Sequence, residues 1–137
     1  MDTSDPLALA ILEDAADAVI FSDPQGVIRL WNAAATRLFG FTKDEALGRS
    51  LDLIIPERLR DAHWRGFDRA MQSGATRLGG HPTMTRGLHG DGRRLYVEMS
   101  FAVVRLPSGA VAGSVAVARD ATARQEAQKA QREAPAS

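Results

Sequence analysis

The apolar positions of this chain recur at two periods, and the change from one to the other marks out its elements. In "SDPLALAILEDAA", Leu7, Ile11 and Ala15 fall at helical spacing behind Ser4, Asp5 and Pro6, a cap-and-proline start. "AVIFSDPQGVIRLWN" gives two short apolar runs around Asp23-Pro24-Gln25-Gly26, the turn chemistry of a hairpin. "NAAATRLFGF" predicts a short helix capped by Asn32 and closed by Gly40. In "TKDEALG", Thr42 and Glu45 have capping-box spacing, and Gly48 stands at the C-terminal cap. A longer helix is predicted over 56–73, with Pro56 in its first turn and Gly74 past its end. Alternation then returns in three strands near 82–88, 93–104 and 110–119, joined by "HGDG" and "LPSG" turns. The closing "DATARQEAQKAQREA" is polar, Ala-rich and helical. Asp120 is its N-cap, and Ala123, Ala127, Ala130 and Ala134 form a thin seam.

That order implies an α+β domain: a five-stranded antiparallel sheet with a helical insertion over one face and a helix at each end. Three segments follow: an N-terminal cap or dimerisation helix over 1–16, a core over 17–119, and a C-terminal signalling helix and tail over 120–137. A chain of 137 residues suits one domain with one core. Seventeen Lys+Arg balance seventeen Asp+Glu, so nothing in the overall charge recruits nucleic acid or an anionic membrane. No apolar run spans a bilayer and no signal peptide is legible, so the cytoplasm is expected. The cysteine count is zero, which excludes disulfides, zinc–thiolate sites, Fe–S clusters, thiol nucleophiles and a cysteine-bonded chromophore. No glycine-rich phosphate loop, nucleophile–base motif or metal triad appears, so an enzyme is not expected.

The chemistry concentrates on the helix "IPERLRDAHWRGFDRAM". On a wheel, Leu59, Gly66, Phe67 and Ala70 lie beside His63, with Met71 at the flank. Asp61, Arg65, Asp68 and Arg69 lie opposite, and Arg58 stands toward the same edge. His63 therefore stands at the centre of the apolar stripe. A buried neutral imidazole needs a partner, since an unpaired polar group costs about 1–3 kcal/mol. A backbone carbonyl, a water or a metal would serve. Arg60, at the stripe's edge, is either an ordinary solvated arginine or a partner for a ligand carboxylate.

From about Leu7 to Ala127 the chain resembles a PAS domain. The resemblance rests on the D-x-x-G hairpin at Asp23 to Gly26, Asn32 followed by small residues, and Leu38-Phe39-Gly40-Phe41. Glu45-Ala46-Leu47-Gly48, "GDG" at 90–92 and "ARDATAR" extend it, with Ala121 replacing a branched residue in the last. It implies the PAS fold and a role in sensing, cofactor holding or dimerisation. "PERLRDAH" resembles the matching helix of FixL-type haem-PAS oxygen sensors. That likeness implies that His63 is the proximal ligand of a b-type haem, flanked by Leu59, Phe67 and Met71, with Arg60 beside a propionate. It implies that Met99, Phe101 and Val117 cover the distal side, although each would be plain core in any PAS domain. Val97 shares a strand face with Met99 and Phe101, and Val115 with Val117. Met84 or Met99 is either an iron ligand or core filler.

Thr83 stands where those sensors carry a distal arginine, and Arg86 follows three residues on. His81 is at the position of a sixth ligand in some relatives, or is simply a loop residue in "GGHP". His89, in the "HGDG" turn, is expected to be exposed. Two functions remain open: a haem-based sensor of a diatomic gas or redox state, or a haem-free module that dimerises or holds a small ligand. A non-covalent flavin also stays compatible. Either reading implies a homodimer through the N-terminal helix and a signal passed to a partner or to a kinase, cyclase or transcriptional output domain.

Overall fold

The computed structural model describes residues 5–75 and 82–133. His81 and Ala134 lie outside them. Asp5 caps helix α1 (Pro6–Asp14) by accepting the amides of Leu7 and Ala8. Strands β1 (Ala18–Ser22) and β2 (Ile28–Trp31) form the predicted hairpin. Its turn is held by Asp23, whose Oδ1 accepts the amides of Gln25 and Val27. Gly26 sits in the left-handed region at φ 79° beneath the Trp64 ring. Short helices α2 (Ala33–Phe39) and α3 (Lys43–Ala46) follow, with the Asn32 cap, the Gly40 terminator and the Thr42–Glu45 capping box all as predicted.

The long helix starts later than its sequence pattern. Residues Glu57–Leu59 form a 3₁₀ turn, and α4 proper runs Arg60–Ser73. Two 3₁₀ turns, Leu51–Ile54 and Glu57–Leu59, precede it, and Pro56 stands between them at ψ 140°, outside the helical region and without a side-chain cap. Then come β3 (Thr83–Leu88), β4 (Arg94–Arg105), β5 (Val111–Asp120) and α5 (Thr122–Glu133). The sheet is antiparallel in the order β2-β1-β5-β4-β3, and α2, the 3₁₀ turns and α4 lie over one face.

The core between them gathers Ile20, Trp31, Phe39, Phe67, Leu95 and Val97. Phe39 closes over Gly87 so tightly that a Cβ there would stand 2.9 Å from its ring. Asp120 accepts the Thr122 amide at the entry to α5, while the Thr122 hydroxyl accepts the amide of Tyr96. The closing helix is thereby pinned to β4. No helix among the described residues is long and apolar enough to cross a membrane.

Candidate functional site

Strand register decides which side chains reach the face under α4. Phe101 stands opposite Ala116, Met99 opposite Ala118 and Val103 opposite Ser114. Side chains alternate along a strand, so Ser114, Ala116 and Ala118 share the inward face with Met99 and Phe101. Ala18, Ile20 and Ser22 join them from β1. Val115 and Val117 therefore point to the outer face, and the expected place of Val117 over a ligand is corrected. Its partners, Val19 and Ser100, lie on the outer face as well. The alternation misleads because the larger apolar residues of β5 face out and the small ones face in. Met84 is corrected in the same way: it stands opposite Glu98 and is 40% exposed.

The small inward residues of β5 leave a cavity of about 350 Å³ between sheet and helices. Ala116 and Ser114 line it from β5, Met99 and Phe101 from β4, and Thr85 and Gly87 from β3. Leu51, Ile54 and Ile55 form the roof, and Leu59, Ala62 and His63 close the side at α4. Phe67 is buried behind that wall, its ring 5.9 Å from the His63 ring and 6.2 Å from that of Phe101. Met71 packs against the core rather than lining the cavity.

Two anchors fix α4 over the cavity. The Trp64 indole N–H donates to Asp52 Oδ1 at 2.7 Å. Arg60 donates through Nε to the Ile55 carbonyl at 3.0 Å and through Nη2 to the Asp52 carbonyl at 3.2 Å. Arg60 thus clamps the preceding turns and is not part of the cavity wall, which replaces its expected place beside a ligand carboxylate. Thr83 is at the exposed start of β3, opposite Met99. Arg86 stands on the outer face, over the Tyr96 ring at 5.0 Å and donating to its hydroxyl. His89 is not exposed as expected. Its side chain is 17% exposed and lies against Gly40, with Nδ1 accepting the Asp91 amide.

His63 is the one chemically unusual group in this wall. Its Nδ1 is buried without a hydrogen-bond partner among the described residues. Burial pushes the imidazole below its ordinary value, and the carboxylates of Asp52 and Asp68 offset part of that shift. The unfolded chain therefore takes up a proton more readily than the folded one. Stability contributed by the neutral ring is present above about pH 6.5 and is lost as the pH falls through the depressed folded value. His63→Leu is expected to flatten this dependence. Urea unfolding at about pH 7.5 and about pH 5 checks it, and equal losses in wild type and variant would reject the assignment.

Residues 12–126 match the family described as PAS fold. This chain belongs to the PAS family. The PAS chain is 29% identical over 119 residues to the sensor protein FixL of Bradyrhizobium diazoefficiens, covering 87% of itself and 23% of that protein. It is 25% identical over 121 residues to the oxygen sensor protein DosP of Escherichia coli, covering 88% of itself and 15% of DosP. It thus spans less than a quarter of the length of either relative. A PAS domain from Colwellia psychrerythraea superimposes with a TM-score of 0.75 at 22% identity, covering 86% of this chain and 97% of that one. Both relatives are sensor proteins by name.

The cavity residues that sequence reasoning missed include Ser114, Ala116, Thr85 and Gly87, the roof residues Leu51, Ile54 and Ile55, and Ile20, Phe39 and Ala62. The run "GSVAVA", with small residues at every second place, is the signal that could have found the first two.

Proposed function

We propose that this PAS domain holds a b-type haem in the cavity through His63 and senses a diatomic gas or the redox state of the iron. The observation that carries the reading is the buried, unpartnered ring nitrogen of His63 on a wall that is otherwise nearly all apolar. An orphaned polar atom of that kind costs about 1–3 kcal/mol unless a ligand engages the ring. Among the described residues no group of three or more His, Asp or Glu is arranged to hold a metal ion. A porphyrin brings four equatorial nitrogens of its own, so a single imidazole fits this donor set. Bound haem supplies an iron centre for reversible gas binding or one-electron exchange. The chain's own part is to present His63 from a helix fastened by Trp64 and Arg60, and to exclude water with Leu59, Met99 and Phe101.

The names of two relatives, one a sensor and one an oxygen sensor, support the same reading. His81 is the proposed sixth ligand. The signal passes to a kinase, cyclase or transcriptional output, with the domain in the cytoplasm and neither nucleic acid nor membrane as its partner. The test is reconstitution with hemin. Wild type is expected to show an intense Soret band that His63→Ala loses. His81→Ala is expected to keep the band and to convert a six-coordinate, low-spin ferric spectrum to a high-spin one. Stoichiometric uptake that survives His63→Ala would overturn the assignment. Absence of uptake by wild type would leave the haem-free small-ligand module.

The homodimer is proposed through α1. Leu7 is 69% and Ile11 61% exposed, an apolar pair that the core does not cover. Light scattering at micromolar concentration is expected to show a dimer that deletion of residues 1–12 dissociates. A monomeric wild type, or a dimer indifferent to the deletion, would reject it.

A further inference from the structure

The inward sheet face carries one polar pair in an apolar setting. Ser22 and Ser114 stand opposite each other on β1 and β5, and their hydroxyl oxygens are 2.9 Å apart. Ser22 is fully buried and Ser114 is 2% exposed. Ser114 lines the cavity beside Ala116, while Ser22 stands behind it.

The proton count at this pair does not close. Each hydroxyl carries one donor and two acceptor sites. Two donors share one mutual bond, and neither hydroxyl makes a second hydrogen bond among the described residues. One O–H is therefore left without an acceptor in a buried place, at a cost comparable to a lost hydrogen bond. The arrangement that uses both donors has Ser22 donating to Ser114 and Ser114 donating into the cavity. Each bond then polarises the next. A ligand with an acceptor atom in the cavity would accept the hydrogen bond that Ser114 donates.

We propose that Ser114, oriented by Ser22, is a ligand-recognition residue that donates a hydrogen bond to a small, largely apolar cavity ligand bearing a carbonyl, carboxyl or similar acceptor. Ser22 is the positioning residue. The assignment concerns the haem-free protein, since this ligand and a haem would share one cavity, and it rests on the sheet wall and not on the imidazole of α4. It gives the cavity chemical selectivity where shape alone would accept any apolar molecule.

Two probes of nearly equal shape test it, acetophenone with a carbonyl and ethylbenzene without one. Each is titrated into haem-free protein and followed by amide chemical shifts. Ser114→Ala is expected to weaken acetophenone by about tenfold, the worth of one hydrogen bond, and to leave ethylbenzene within about twofold. The carbonyl stretch of bound acetophenone is expected to be lower in wild type than in Ser114→Ala. Ser22→Ala keeps the donor and so keeps a lowered stretch. The double variant Ser22→Ala/Ser114→Ala removes both polar groups together, which costs little stability, and is expected to behave as Ser114→Ala toward both probes. Equal losses for the two probes would overturn the proposal. An unchanged carbonyl stretch in the double variant, or a wild type that binds neither probe, would do the same.

Discussion

Asn32→Ala is expected to lower the stability of this domain by about 3–5 kcal/mol, a large share of the roughly 5–15 kcal/mol that holds a domain folded. The side chain is buried and uses its full hydrogen-bonding capacity. Oδ1 accepts the amides of Val19 at 2.9 Å and Ala35 at 3.0 Å. Nδ2 donates to the carbonyls of Leu12 at 2.8 Å and Asp17 at 3.1 Å. One amide therefore caps α2, holds the start of β1 and ties down the exit from α1. Loss of the cap alone costs about 1 kcal/mol. The rest comes from the Val19 amide and the two carbonyls, which no other side chain among the described residues engages.

Asn32→Asp separates these contributions. It keeps both accepted bonds and sets a carboxylate against two carbonyl oxygens, so it is expected to lose stability while retaining the α2 cap. Guanidinium unfolding followed by circular dichroism measures both variants. A loss under about 1 kcal/mol in Asn32→Ala would show that Asn32 acts as a cap and nothing more.

Gly113→Ala is expected to cost about 2–5 kcal/mol, from a backbone strained at positive φ and a clash that cannot relax. Gly113 has φ 150°, and a Cβ built on it falls on the Ser22 carbonyl oxygen, with the Asp23 Cα just beyond. Both obstacles are backbone, so no side-chain rotation relieves them. Gly109→Ala is the control. It too has positive φ, at 90°, but a Cβ there meets nothing within 4 Å. The difference between the two variants isolates the collision from the torsional strain. Comparable losses in both would remove the case for close approach at Gly113. Because Ser22 and Ser114 flank this contact, the collision is also expected to part the buried hydroxyl pair.

Much of the scaffold was legible in the sequence because its signals are local. A cap needs a side chain and an amide two or three residues away, as at Asn32 and Thr42, and a hairpin needs its turn, as at Asp23 to Gly26. These residues set element order and, with the alternating strands, the antiparallel five-stranded class. The helical wheel likewise placed Leu59, His63 and Phe67 on one inner side without any knowledge of what they meet, although Leu59 stands in the 3₁₀ turn before α4.

Only the tertiary structure decided which strand face is which. Strand side chains have a period of two, so an error of one residue reverses a whole strand. The resemblance implies Val117 over a ligand and Met84 as an iron ligand or core filler, yet pairing across to Ser100 and Glu98 turns both outward. Where hydrophobicity pointed to large residues filling the core, the fold puts Ser114, Ala116 and Ala118 there and leaves a cavity. The fate of Arg60 was equally out of reach, because its carbonyl partners depend on the path of the 3₁₀ turns before α4. The sequence by itself determined the elements, their order and the histidine on the helix. The pairing of distant strands, which no local spacing encodes, determined the cavity that the histidine faces.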